Sequence, residues 1–148
     1  MELRISVCIA TFNGGNYIKE QIVSILPQLS KNDEVIISDD GSSDETLKLL
    51  ESFNDERIKM FRNNGMHGFV WNFERALREA TGDVIFLCDQ DDIWKPNKVE
   101  VIMKQLRQYD LVVHDAEMID REGCSLGKTY YSTMHHKKDF ISNLWRTR

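Results

Sequence analysis

Four times along the chain, a short run of β-branched and apolar residues is followed by a segment whose apolar residues recur at helical spacing. No other pattern in the sequence restricts the fold as strongly, because it requires parallel strands joined by helical crossovers. Ile5 to Ala10, Glu34 to Ser38, Ile58 to Phe61 and Val84 to Cys88 read as the strands. Ile18, Ile22, Ile25, Leu26 and Leu29 form one helical face, with Asn16 as its cap and Pro27 in its last turn. Ser42 and Glu45 have the spacing of a capping box and open a helix lined by Leu47, Leu50 and Phe53. Phe69, Val70, Phe73, Ala76, Leu77 and Ala80 make a third stripe that stops at Gly82. Pro96 suits the first turn of a helix carrying Val99, Ile102, Met103 and Leu106, and Leu111 to Val113 begins a fifth strand.

The expected fold is α/β, a Rossmann-like, mostly parallel sheet with right-handed crossovers and helices on both faces. At 148 residues the chain fits a single domain, 1–148. In such sheets ligands bind beyond the carboxyl ends of the strands, where strand order reverses. With strand one central, flanked by strands two and four, three loops meet there: "TFNGG", "DDGSSD" and "DQDD".

Two of these loops are acidic. "DDGSSDE" can be read as a glycine turn and a helix start, where carboxylates favour the helix dipole. "DQDD" resists that reading, since Asp89, Asp91 and Asp92 cannot all cap the helix that begins several residues later. Carboxylates so close repel, which points to an arriving positive charge. A hard divalent cation, Mn²⁺ or Mg²⁺, takes one or two carboxylates and completes its shell with water and phosphate oxygens. A net charge of −5 argues against general affinity for nucleic acid. Cys8 and Cys88 lie in apolar runs and read as buried hydrophobes of a reducing compartment. No run reaches the roughly 18 apolar residues of a membrane span, and no signal-peptide pattern opens the chain. The expected location is cytoplasmic, with peripheral association at the inner face of the membrane left open.

"SVCIATFNGGNYIKEQIVSILPQ", "DEVIISDDGSSDET" and "ATGDVIFLCDQDDIWKPNKVE" together resemble the N-terminal half of a family 2 glycosyltransferase of the GT-A fold. The ending "DQDDIW" is similar to the rhamnosyltransferase-like subset. The resemblance implies an inverting, metal-dependent transfer from a uridine or thymidine diphosphate sugar to a saccharide or lipid-linked acceptor. Thr11, Phe12 and Asn13 would line the nucleotide pocket; Asp40 would accept the N3–H of the base, with Asp39 and Gly41 forming the turn beside it. Asp89 and Asp91 would be the ends of a DxD motif, Asp91 on the metal and Asp89 on the ribose or a metal-bound water. Asp92 is a further candidate for the metal or the sugar. Asn64, Gly65 and Asn72 fall where the family lays a loop over the nucleotide, with His67 as that loop's polar group. Trp94 packs beside the metal loop or in the core. The family's base lies in an acceptor-binding half, expected beyond Arg148; Asp115 is not assigned that role.

Two other readings remain at this point. One is a non-catalytic nucleotide-sugar-binding or regulatory module. The other is a haloacid-dehalogenase-like phosphatase, whose strand-then-DxDx start "VIFLCDQDD" also matches, though three strands precede it here. After Asp120, "REGCSLGK" reads as a hairpin turn. Asp139 to Trp145 has helical spacing with an apolar face of Phe140, Ile141, Leu144 and Trp145, a surface for self-association into a homo-oligomer.

Overall fold

The computed structural model describes residues 3–133 and forms two compact units, with the boundary at Lys104 and Gln105. The helical tail expected at Asp139 to Trp145 lies outside the described residues. In the first unit, β1 (Ile5–Thr11), β2 (Glu34–Asp39), β3 (Ile58–Arg62) and β4 (Val84–Asp89) alternate with α1 (Ile18–Ile25), α2 (Thr46–Glu51) and α3 (Phe69–Glu79). The boundary falls in the last turn of α4 (Lys98–Gln105). The four strands form one parallel sheet in the order β3-β2-β1-β4, so the chain reverses direction across the sheet at β1.

Register sorts the side chains onto two faces. Cys8 and Ile36 lie opposite one another on the face covered by α3, where they pack with Ala76, Phe61 and Ala80. Val7, Ile9, Val35, Ile37, Phe86 and Cys88 alternate to the other face and are buried there. α1 serves that second face: its Ile18, Ile22 and Ile25 are fully buried, and Gln21 donates to Cys88 Sγ at 3.0 Å. Trp94 is core, tilted against the Phe86 ring at 5.4 Å and donating from Nε1 to Cys88 Sγ. Burial pushes the Cys88 thiol up to about 12, so it acts as a small apolar residue.

Several local expectations are corrected. Asn16 does not cap α1, which starts at Ile18 after a turn closed by Tyr17 N–H and Ile18 N–H on Gly14 O. The Ser42–Glu45 capping box does not form; α2 starts at Thr46, whose N–H reaches Asp44 Oδ1 at 3.1 Å. Ser42 is drawn away because its hydroxyl donates to the buried Asp39 carboxylate. Pro96 precedes α4 by two residues instead of sitting in its first turn. Leu111 to Val113 is not a strand: Leu111 and Val113 are 67% and 65% exposed, and no burial holds them in a sheet.

The second unit contains an antiparallel hairpin, β5 (Glu117–Ile119) with β6 (Ser125–Thr129), followed by the short α5 (Tyr130–Thr133). Asp120 closes the turn, its Oδ1 accepting from Glu122 N–H and Cys124 N–H.

At the amino end of the sheet, Glu34 is 1% exposed and gathers donors from every neighbouring strand or its approach. It accepts from Arg4 Nη2 at 3.0 Å, Ser6 Oγ at 2.6 Å, Lys59 Nζ at 2.7 Å and Thr81 N–H at 2.7 Å. Burial alone would raise its pKa, but the bonds from Lys59, Ser6 and Thr81 outweigh it and bring it from 4.5 to about 2. A folded pKa below the unfolded one stabilises above the unfolded value, and that stability is lost as pH falls from 4.5 through about 2. Its size is about 3 kcal/mol. Glu34→Gln is expected to lower stability at neutral pH by about 3 kcal/mol and to flatten the acid limb between pH 4.5 and 2. Urea unfolding of both proteins across that range checks this; an unchanged acid limb would remove Glu34 as the source.

Candidate functional site

Three loops leave the carboxyl end of the sheet side by side. β1 ends at Thr11, which pairs with Asp39 of β2, while Ala10 pairs with Asp89 of β4. Carboxylate-bearing residues therefore stand on both sides of β1, two strand spacings or roughly 10 Å apart along the hydrogen-bonding direction.

The loop after β1 is held by its neighbours through side-chain bonds. Asn13 adopts φ 50°, with its N–H on Ser42 Oγ at 2.8 Å and its Oδ1 accepting from Ser43 N–H at 2.9 Å. Gly15 N–H donates to Asp44 Oδ2 at 2.9 Å. Phe12 bonds Gln90 through both its N–H and its carbonyl, and the residue is 55% exposed. From behind, Asn72 Nδ2 and Asp40 N–H both donate to Thr11 O. Thr11 Oγ1 and Asn72 Oδ1 are buried there with no partner among the described residues.

The paired aspartates of the second loop do different work. Asp39 is buried and bound up in its own turn: Oδ2 accepts from Gly41 N–H at 3.1 Å and Ser42 N–H at 2.9 Å, and Oδ1 from the Ser42 hydroxyl. Gly41 turns the chain at φ 91°, a conformation that disfavours any side chain. Asp40 points the other way, toward the loop after β3. Its Oδ1 meets Asn63 Nδ2 at 2.9 Å and His67 Nδ1 at 2.8 Å, and its Oδ2 accepts from Gly68 N–H at 2.8 Å. Burial works against the charge, but the donors from Gly68, His67 and Asn63 outweigh it and hold the carboxyl below its usual value.

Of the residues expected over the nucleotide, Asn64 and Gly65 are exposed and neither is among the partners of Asp40 just named. The neighbour Asn63 is the amide that meets Asp40; it is buried just past the end of β3, where Asp39 pairs with Arg62. His67, the polar group of that loop, is a partner of Asp40. Asn72 sits in α3, under β1. Sequence reading also missed Gln21, Ser42, Asp44 and Gln90. Gln90 carried a signal as the middle residue of "DQD", and Ser42 and Asp44 as members of "DDGSSD", whereas Gln21 reads only as part of a helix.

In the third loop, Asp89 ends β4 and Asp91 and Asp92 follow, all exposed at the residue level. Partial desolvation of its carboxyl, then the charges of Asp92 and Asp91, push the Asp89 pKa up. Gln21 Nε2 donates to Asp89 O and fixes the backbone there. Among the described residues, no group of three or more His, Cys, Asp or Glu side chains converges to hold a metal. The donor chemistry fits a Mg²⁺-like shell, in which one or two hard carboxylate oxygens suffice and other ligands come from water and phosphate. An apolar groove runs alongside, lined by Phe69, Val70, Phe73 and Leu77 of α3 with Leu87 of β4, and reaches Asp89 and Asp92.

The model of glycosyl transferase family 2 matches residues 6–147. An uncharacterized glycosyltransferase of Rickettsia typhi is 33% identical over 126 residues, covering 82% of this chain and 39% of that protein. Glycosyltransferase GlyG of Streptococcus pneumoniae is 32% identical over 108 residues, 72% of this chain and 36% of its own length. Among solved structures, the S. aureus TarS fragment superposes with a TM-score of 0.66 at 25% identity, over 73% of this chain and 33% of that one. The mannosyltransferase PcManGT of Pyrobaculum calidifontis, in complex with GDP-Man and Mn²⁺, gives 0.65 at 23% identity over 81% and 36%, a likeness of fold. This chain thus spans about two fifths of the Rickettsia typhi relative's length and 21% of that of a relative from Rickettsia conorii. With the family model spanning nearly all of the sequence and the sheet matching GT-A glycosyltransferases, the chain belongs to glycosyl transferase family 2.

Proposed function

We propose that this chain forms the donor-binding part of an inverting, metal-dependent glycosyltransferase that uses a uridine or thymidine diphosphate sugar. The observation that carries this reading is the placement of two differently built carboxylate sites on either side of β1. Family membership excludes the phosphatase reading. TarS, 25% identical here, is known in complex with UDP, which supports a uridine nucleotide.

Asp40 is the base-reading group. Its carboxylate is kept ionised and oriented by Asn63, His67 and Gly68, and an ionised carboxylate only accepts hydrogen bonds. Uracil and thymine present N3–H to such a group; cytosine presents a bare nitrogen and is repelled. Phe12 offers an exposed ring face beside the base, and Asp39 acts through the turn that aims Asp40.

Asp91 and Asp89 would hold Mn²⁺ or Mg²⁺. A divalent cation bound there would neutralise charge developing on the nucleoside diphosphate leaving group. Partial burial and the charges of Asp92 and Asp91 raise the pKa of Asp89, and a cation there would offset that cost. The acceptor is a saccharide or lipid-linked saccharide, and "DQDDIW" favours a rhamnosyl-type sugar.

Calorimetric titration with UDP and dTDP, in Mn²⁺ and in chelator, tests this reading, with CDP as the control for the base. Asp91→Asn is expected to remove most of the Mn²⁺ dependence of diphosphate binding. Asp40→Asn is expected to weaken binding by about 1–3 kcal/mol, the cost of a lost charge-assisted hydrogen bond, while Mn²⁺ dependence survives. The amide that replaces the carboxylate can also donate, so discrimination against CDP should narrow. Both variants binding like the parent would mean that the crevice lies elsewhere.

A further inference from the structure

Gln90 stands between the two carboxylates of the third loop, yet its side chain points away from them. Its Oε1 accepts from Phe12 N–H at 2.9 Å and its Nε2 donates to Phe12 O at 3.2 Å. One amide group thus satisfies both backbone groups of a single residue, as a neighbouring strand would, at a place where the β1–β4 ladder has ended at Ala10 and Asp89. The fit is close on a second side. A Cβ on Gly14 would stand 2.4 Å from Gln90 Oε1 and 2.9 Å from its Cδ, so the glycine leaves room for the amide. Meanwhile Gln21, fully buried in α1, donates to Asp89 O. The DQD loop is therefore gripped by two glutamine amides, one tying it to the helix core and one to the nucleotide loop.

We propose that Gln90 is a positioning residue that makes the nucleotide loop, Thr11 to Asn13, and the metal loop, Asp89 to Asp91, move as one body. It couples metal binding to nucleotide binding without touching either ligand. The proposal rests on the donor-site reading above, and its consequence is a linkage: Mn²⁺ tightens UDP binding only while the amide bridge is in place. A side chain that merely filled space would leave that linkage unchanged.

The bridge itself is read without any ligand, by hydrogen exchange at the Phe12 amide. Exchange should be slow in the parent and at least tenfold faster in Gln90→Ala. UDP titrations in Mn²⁺ and in chelator then read the coupling. The Mn²⁺-induced gain in UDP affinity should fall at least fivefold in Gln90→Ala, and Gln90→Glu, which keeps the acceptor and loses the donor, should not restore it. Gly14→Ala, which drives the amide out, should cause a similar loss in the parent and little further loss in the Gln90→Ala background. Thermal unfolding of each variant separates loss of the fold from loss of coupling. Fast Phe12 exchange in the parent, additive effects of the two substitutions, or an undiminished Mn²⁺ effect in Gln90→Ala would each overturn the proposal. If the parent shows the bridge by exchange but no Mn²⁺-dependent UDP binding, the coupling role is refuted together with the donor-site reading. Intact Mn²⁺-dependent binding in both proteins refutes the coupling alone.

Discussion

Everything at the candidate site depends on β1 being paired on both sides. A strand with two parallel neighbours is buried on both faces and fixed in register by two ladders, and Ile5 to Thr11 satisfies this with almost no exposure. Because side chains alternate along a strand, a slip of one residue in either ladder would turn every neighbour to the wrong face. The same slip would shift Asp39 and Asp89 against Thr11 and Ala10. The precision of the site is thus inherited from hydrophobic register, with Ile9, Ile36 and Ile37 selecting it through their burial.

Beyond the ends of the strands no ladder remains, and side chains replace it. Asp39 ties its own turn, Ser42 ties that turn to Asn13, Asp44 ties the start of α2 to Gly15, and Gln90 ties Phe12 to the loop after β4. Each is a short polar or amide group meeting backbone N–H or C=O, which is how an irregular segment satisfies donors it cannot bury unpaired. Polar residues that a one-dimensional reading assigns to helix capping are thereby recruited across loops. Ser42 shows the competition plainly: a cap for a six-residue helix is worth less than completing the shell of a buried carboxylate.

This contrast marks what was legible in the sequence. The four strands follow from apolar periodicity, which is a local property, while the central place of β1 between β2 and β4, and with it the three converging loops, follows from the usual winding of such sheets. Asp89 and Asp91 stand out because carboxylates crowded at the end of a buried run repel one another, whereas Asp40 is singled out only by the resemblance to family 2 glycosyltransferases. That Asn63 meets Asp40 was not legible, since both amides occupy one exposed-looking "NNG", and only the end of the β2–β3 ladder decides which of them turns toward Asp40. The false strand at Leu111 to Val113 fails for the complementary reason: composition favours a strand, but two thirds of Leu111 and Val113 remain in water.

The two acidic sites also differ in how their charge is settled. Asp40 is compensated within the protein, by hydrogen bonds from Gly68, His67 and Asn63 that outweigh its burial and lower its pKa. Asp89 is placed differently: partial burial and the charges of Asp92 and Asp91 raise its pKa, and Gln21 serves its backbone carbonyl. A carboxylate already stabilised by protein donors is suited to reading a neutral N–H, because it asks for no countercharge. A set of carboxylates in mutual repulsion is suited to a cation, because binding one relieves that repulsion. Thus the same residue type, placed on two sides of one strand, acquires opposite electrostatic surroundings, which suit it to the two different tasks proposed above.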